Sequence, residues 1–292
     1  MLAQRIATAL VLLVILVATL ASRSVLPFAL LMAAMVLACA WEWGRLTGLG
    51  QGASVGLAGA TGGVLAATVL LGVAAAMVGD SGLSALGWWV SGAAWLAGLA
   101  LVLRAGVPGW RDAPRGLRIV TGVAILVLTW WAVVHARAIG VNFLLSTLAI
   151  IWASDIAAYF GGKAWGGRVF GPRKLAPSIS PGKTWEGAVS GLVGAVAVSL
   201  LWVAVIDRRS WVDGPSLQGL LVERHGWALM LVAVVVVTVA GILGDLFESL
   251  VKRAAGAKDS SRLLPGHGGV LDRVDALLPV LPIAIALASW KG

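Results

Sequence analysis

Most of the residues able to do chemistry in this chain lie in two polar segments, residues 154–186 and 244–275. In the second segment Asp245, Glu248, Ser249 and Lys252 stand at i, i+3, i+4 and i+7, the spacing of one helical face. Asp272 and Asp275 repeat the i, i+3 step further on. Between the two sets lie Lys258, Asp259, Arg262 and the run Gly266, His267, Gly268, Gly269. If the helices carrying them pack antiparallel, the acidic faces meet. Hard divalent cations such as Mg²⁺ take such oxygen ligands, with water and substrate phosphate completing the shell, and the neighbouring Lys and Arg would neutralise phosphate charge. His267 could bind phosphate, pair with a carboxylate or cap a helix. No second His or Cys at ligand spacing argues for zinc. A solvated loop with ion pairs such as Asp272 with Arg253 accounts for single residues but not for the whole set, because carboxylates at the edge of a membrane span are costly unless used or paired.

The first segment adds Asp155, with Tyr159 one turn on, and Lys183. Asp155 is the deepest acid of an apolar stretch, so it is a functional candidate, the alternative being a hydrogen bond between packed helices. Gly182, Lys183 and Thr184 imitate the end of a P-loop, but the glycine required five positions earlier is Pro177 and no strand is expected before it. The P-loop is rejected and Lys183 is kept as a phosphate contact. Gly161, Gly162, Gly166 and Gly167 are read as turns rather than a dinucleotide fingerprint.

The elements that position these residues must be membrane helices. Hydrophobic residues make up 60% of the 292 and charged residues 12%, with a mean hydropathy of +0.96. A soluble domain carries roughly 25% charge. In lipid every backbone polar group must be paired internally, and continuous apolar runs favour helices over barrel strands. The expected class is therefore all-α and polytopic, with about nine spans: Ile6–Ser22, Val25–Trp41, Ala53–Val78, Leu83–Leu103, Leu117–Ala136, Val141–Phe160, Ala188–Ile206, Trp227–Leu243 and Val274–Trp290. The first two form a tight hairpin through Arg23 and Ser24, and the first is read as a retained span rather than a signal peptide. The eighth continues as a polar helix to Lys252. Residues 1–140 form an N-terminal membrane region of five spans and residues 141–292 a catalytic region of four. With nine spans, 16 of the 22 Lys and Arg fall on the side of the N-terminus and the large polar loops, which the positive-inside rule makes cytoplasmic. The net charge of +9 is mainly this topology signal. The aromatic residues, mostly Trp, fit interfacial belts better than base-stacking platforms, so nucleic acid is not an expected partner. Cys39, alone in the chain, is read as an inert buried thiol.

The run Ser249, Lys252, Arg253, Lys258, Asp259, then Leu264 through Gly269, Asp272, Arg273 and Asp275 resembles the signature of the bacterial phosphatidate cytidylyltransferases (CDP-diacylglycerol synthases) over about 27 consecutive residues. Ser154, Asp155, Tyr159 and Gly161 agree, as do Leu175 to Pro177, Ser180 to Gly187, and Glu42 with Trp43. Gly182 departs from the pattern, which suggests a basic residue there. The first 140 residues match mostly in hydropathy. The resemblance implies transfer of CMP from CTP to phosphatidic acid, giving CDP-diacylglycerol and pyrophosphate in phospholipid biosynthesis at the bacterial cytoplasmic membrane. It implies catalytic roles for Asp245, Asp272, Lys252 and Asp275, and a metal centre of Asp245, Ser249, Asp272 and Asp275 holding Mg²⁺, with a second cation such as K⁺ admitted. Substrate contacts would come from Ser180, Lys183, Arg253, Lys258, Asp259, His267, Arg273 and Asp155. The family also suggests a homodimer, which nothing in the residues requires.

Three other readings compete with this one. An ion-coupled transporter would use Asp155 as its coupling site, but the carboxylates cluster at one surface and no paired broken spans are visible. A CDP-alcohol phosphatidyltransferase would need an acidic motif that is absent. A membrane scaffold has no use for this charge constellation.

Overall fold

The computed structural model describes residues 2–71 and 82–290. The expected end of the third span, at Val78, and Lys291 of the charge ledger lie outside the described residues. The chain is an all-α polytopic membrane protein. Its elements are α1 (Leu2–Ala21), α2 (Leu26–Leu46), α3 (Gln51–Leu70), α4 (Gly82–Asp112), α5 (Arg115–Ile139), α6 (Val141–Trp165), a hairpin of β1 (Lys174–Ala176) and β2 (Ser180–Thr184), α7 (Trp185–Leu201), α8 (Leu217–Ala254), and the short α9 (Leu271–Val274) and α10 (Leu277–Ala288). Among the described residues seven helices, α2 to α8, are long and apolar enough to cross a membrane.

Each expected span finds a helix, with three departures. The segment before span eight is helical from Leu217, and Gly226 at φ 82° turns it into the long helix that runs on through Lys252. The fourth helix continues past Leu103 but breaks at Gly106, φ 66°, ahead of Pro108. The ninth is only twelve residues long, about 18 Å at 1.5 Å per residue. It is short of the hydrocarbon thickness and nearly all buried against α4, α5, α6 and α8. A helix apolar on every face belongs inside a bundle.

Local chemistry explains several helix starts, that of α7 beside the site and those of α6 and α8 at the far ends of their helices. Thr184 caps α7 by accepting the Gly187 N–H at 3.1 Å, and Ser216 caps α8 through the Gly219 N–H at 2.8 Å. Asp213 receives the Val141 and Asn142 N–H groups at the start of α6, where a carboxylate also suits the helix dipole. Helices α6 and α7 pack closely through small residues; a Cβ on Gly191 would lie 2.8 Å from Ser154 Oγ. Gly161, expected in a turn, is helical and meets Ser190 of α7 in that same contact.

The expected interfacial tryptophans divide. Trp43, Trp95, Trp110 and Trp130 are core residues. Trp95 and Trp110 set their edges on Phe247 of α8 at centroid distances of 6.0 and 5.5 Å, and Trp43 adds a tilted contact at 6.0 Å. Such aromatic pairs are directional. The cage therefore fixes the rotation of α8 two residues from Asp245.

Residues 255–270 form an irregular loop that is anchored to α2. Glu42 is 0% exposed. It accepts the N–H of Val270 at 2.9 Å and of Leu271 at 2.7 Å, together with the hydroxyls of Ser260 and Ser261. Gly269 is needed beneath them, because a Cβ there would collide with Ser260 Oγ and Glu42. Glu42→Gln puts an amide N–H₂ against these donors. It is expected to cost about 1–3 kcal/mol, the penalty for a buried donor left without an acceptor, and to speed hydrogen exchange at the Val270 and Leu271 amides in detergent-solubilised protein. Unchanged protection at those two amides would show that the loop holds without the carboxylate.

Candidate active site

A cavity of about 510 Å³ opens between α6, the β-hairpin, α7 and α8. Asp155, Tyr159 and Lys163 reach it from α6, Lys183 from β2 and Asp245 from α8. The hairpin overturns one expectation: a strand, Ser180–Thr184, does hold the Gly182–Thr184 run, pairing antiparallel through Lys174 with Thr184 and Ala176 with Ser180. It leads straight into α7. Three contacts set it on α8. Ile179 is buried in the apolar cluster that includes Leu250 and Val251, Arg253 Nε donates to the Ile179 carbonyl at 3.3 Å, and Lys183 Nζ meets Asp245 Oδ2 at 2.7 Å.

The acids separate into two groups. Asp245 stands in the cavity wall and accepts a hydrogen bond from Ser249 Oγ at 3.3 Å. Asp275 lies beside it, buried and facing the negative field of the Asp245 carboxylate. Asp272 instead faces the loop. It accepts Lys252 Nζ at 2.6 Å, Gly269 N–H at 2.8 Å, and the N–H and hydroxyl of Ser260, each at 3.0 Å. Burial opposes ionisation of Asp272, but the Lys252 hydrogen bond and the Gly269 N–H outweigh it and hold the carboxyl at about 2. The expected ion pair of Asp272 with Arg253 is thus made with Lys252, which also pairs with buried Glu248. The one-face spacing of Asp245, Ser249 and Lys252 is realised on α8.

The remaining candidates ring the loop. Arg273 donates to the His267 carbonyl at 2.7 Å, and His267 N–H donates to Leu264 O at 2.8 Å. Lys258 and Asp259 are exposed, and Ser180 is half-buried at the start of β2. No group of three or more His, Cys, Asp or Glu converges at metal-holding distance among the described residues.

Two residues that sequence reasoning did not single out carry this architecture. Glu42 is one; only its place in a motif hinted at it. Glu186 is the other: buried at the start of α7, its Oε1 accepts the N–H of Val169 at 3.1 Å and of Phe170 at 3.0 Å, holding the basic loop beside the cavity.

The family model described as "Cytidylyltransferase family" matches residues 3–290. A Pseudomonas aeruginosa protein named phosphatidate cytidylyltransferase is 40% identical over 295 residues, covering 99% of each chain. A Haemophilus influenzae protein of that name is 35% identical, covering 68% of this chain and 65% of its own. One from Brucella suis is 46% identical over 48% of this chain and 44% of its own. With a match running almost from end to end, the chain belongs to the cytidylyltransferase family.

Proposed function

We propose that this protein is a metal-dependent phosphatidate cytidylyltransferase of the bacterial cytoplasmic membrane, joining CTP and phosphatidic acid into CDP-diacylglycerol with release of pyrophosphate in phospholipid synthesis. The observation that carries the reading is the cavity, where two lysines and two aspartates converge at the end of apolar helices. Acyl chains can stay in lipid while a phosphate headgroup reaches the charged end. The basic loops and the N-terminus face the cytoplasm in this reading, where CTP is available.

In the proposed reaction a phosphatidate oxygen attacks the α-phosphorus of CTP, a new P–O bond forms, and the bond to the β-phosphate bridging oxygen breaks. Such a displacement needs alignment and charge neutralisation rather than a protein nucleophile. Lys183 is suited to this. It can exchange the Asp245 carboxylate for a triphosphate oxygen, which frees that carboxylate to face a cation. Lys163, exposed at the cavity, supplies a second cation. Lys252 is held between Glu248 and Asp272, so its part is to tie the loop carrying Asp259 and His267 to α8.

The residues fit Mg²⁺ as a shared rather than a caged ion. Asp245 with Ser249, and Asp275 beside them, supply the one or two carboxylates that Mg²⁺ takes when substrate phosphates complete its shell. Asp272 already receives four donors, which makes it the supporting member of the set. When bound, the ion neutralises and orients phosphate oxygens; a second cation such as K⁺ would share that charge.

Purified protein in detergent is expected to release pyrophosphate only when CTP and phosphatidic acid are both present. Asp245→Asn and Lys183→Met should each lower kcat/KM by about 10²–10³, the size of losing one aligned charge stabiliser, with thermal unfolding little changed. Folded wild-type protein that releases none across several acyl chains would sink the assignment and bring the transporter forward. Excess chelator should abolish release and Mg²⁺ should restore it; turnover that persists in chelator would remove the metal from the mechanism.

A further inference from the structure

The loop after α6 is built unlike its neighbours. Glu186 holds the N–H groups of Val169 and Phe170, and glycines with positive φ, Gly167 and Gly171, bracket the tip. A fixed loop would ordinarily turn apolar side chains inward. Here Val169 is 66% and Phe170 50% exposed. Arg168, Arg173 and Lys174 flank them, exposed, and none has a carboxylate partner among the described residues. Trp165 at the end of α6 and Trp185 at the start of α7 are 55% and 47% exposed. Tryptophans at the ends of two neighbouring spans mark headgroup depth, so they set the loop at the membrane surface.

We propose that the loop at residues 166–173 is a lipid-contact element, with Val169 and Phe170 inserted at the acyl boundary and Arg168, Arg173 and Lys174 against anionic headgroups. Apolar tips with cationic flanks match a negatively charged bilayer in both hydrophobic and electrostatic terms. A soluble acidic partner would satisfy the cations and leave the two apolar side chains in water. The element lies beside the cavity, since Glu186 directly precedes Gly187 in its wall. The inference adds a surface to the proposed activity and stands apart from it.

The test uses the full chain in vesicles. Because Cys39 is buried, Val169→Cys takes an environment-sensitive dye selectively. The expected result is quenching by lipids with a shallow acyl spin label, several-fold stronger than by aqueous iodide, and a larger blue shift in phosphatidylglycerol vesicles than in phosphatidylcholine. That difference should vanish when Arg168, Arg173 and Lys174 are all changed to Gln. Iodide quenching that exceeds lipid quenching overturns the proposal, as does energy transfer between differently labelled copies with no lipid quenching, which would make the loop an interface between two chains. The readout needs no turnover, so its failure leaves the assigned activity standing, and an inactive protein that still shows lipid quenching leaves this surface standing.

Discussion

Backbone N–H groups that leave a helix at the edge of a bilayer must find an acceptor, and around the polar loops of this protein three carboxylates take six of them. Glu42 takes two N–H groups of the 255–270 loop and its junction with α9, Asp272 takes two more, and Glu186 takes two from the loop after α6. Irregular backbone near lipid is tolerated only where it is satisfied in this way. The glycines that make the loops supple are disciplined by these anchors: a Cβ on Gly268 would lie 2.9 Å from Asp272 Oδ2. These loops are therefore irregular in secondary structure yet fixed in position.

Charge follows the same logic. Lys252 sits between Glu248 and Asp272, inside the protein, while Lys183 meets Asp245 at the wall of the cavity. The first arrangement is closed and structural. The second is half-buried and can be exchanged with a ligand. Removing one partner of a buried pair is more damaging than removing both, so the closed set is fragile to single changes in a way that the open pair is not.

The sequence made some of this visible. Continuous apolar runs located the helices, and the step of three and four residues put Asp245, Ser249 and Lys252 on one face of α8. Residue pattern also identified the two polar segments from which the cavity draws its charged residues. It could not reveal that Asp272 would turn to the loop and Asp275 to Asp245, because a one-turn difference in where α9 begins decides that. Glu42 was hidden for another reason: its partners lie 218 to 229 residues away, and such pairing leaves no local periodicity. The hairpin escaped notice because its strands are three and five residues long and the second begins with Ser, Pro and Gly. The buried tryptophans misled because side-chain type alone does not distinguish a belt from a core.

The shortness of α10 bears on how the protein is made. Twelve residues cannot bridge a bilayer alone, and this helix packs against α4, α5, α6 and α8. It also leaves the ribosome after each of those helices. Asp275 is brought beside Asp245 by that helix, so the acidic pair is completed only after the earlier helices have inserted and gathered. A chain released too early keeps most of its spans yet lacks this pair, and biosynthesis thereby confines the finished site to the fully assembled bundle.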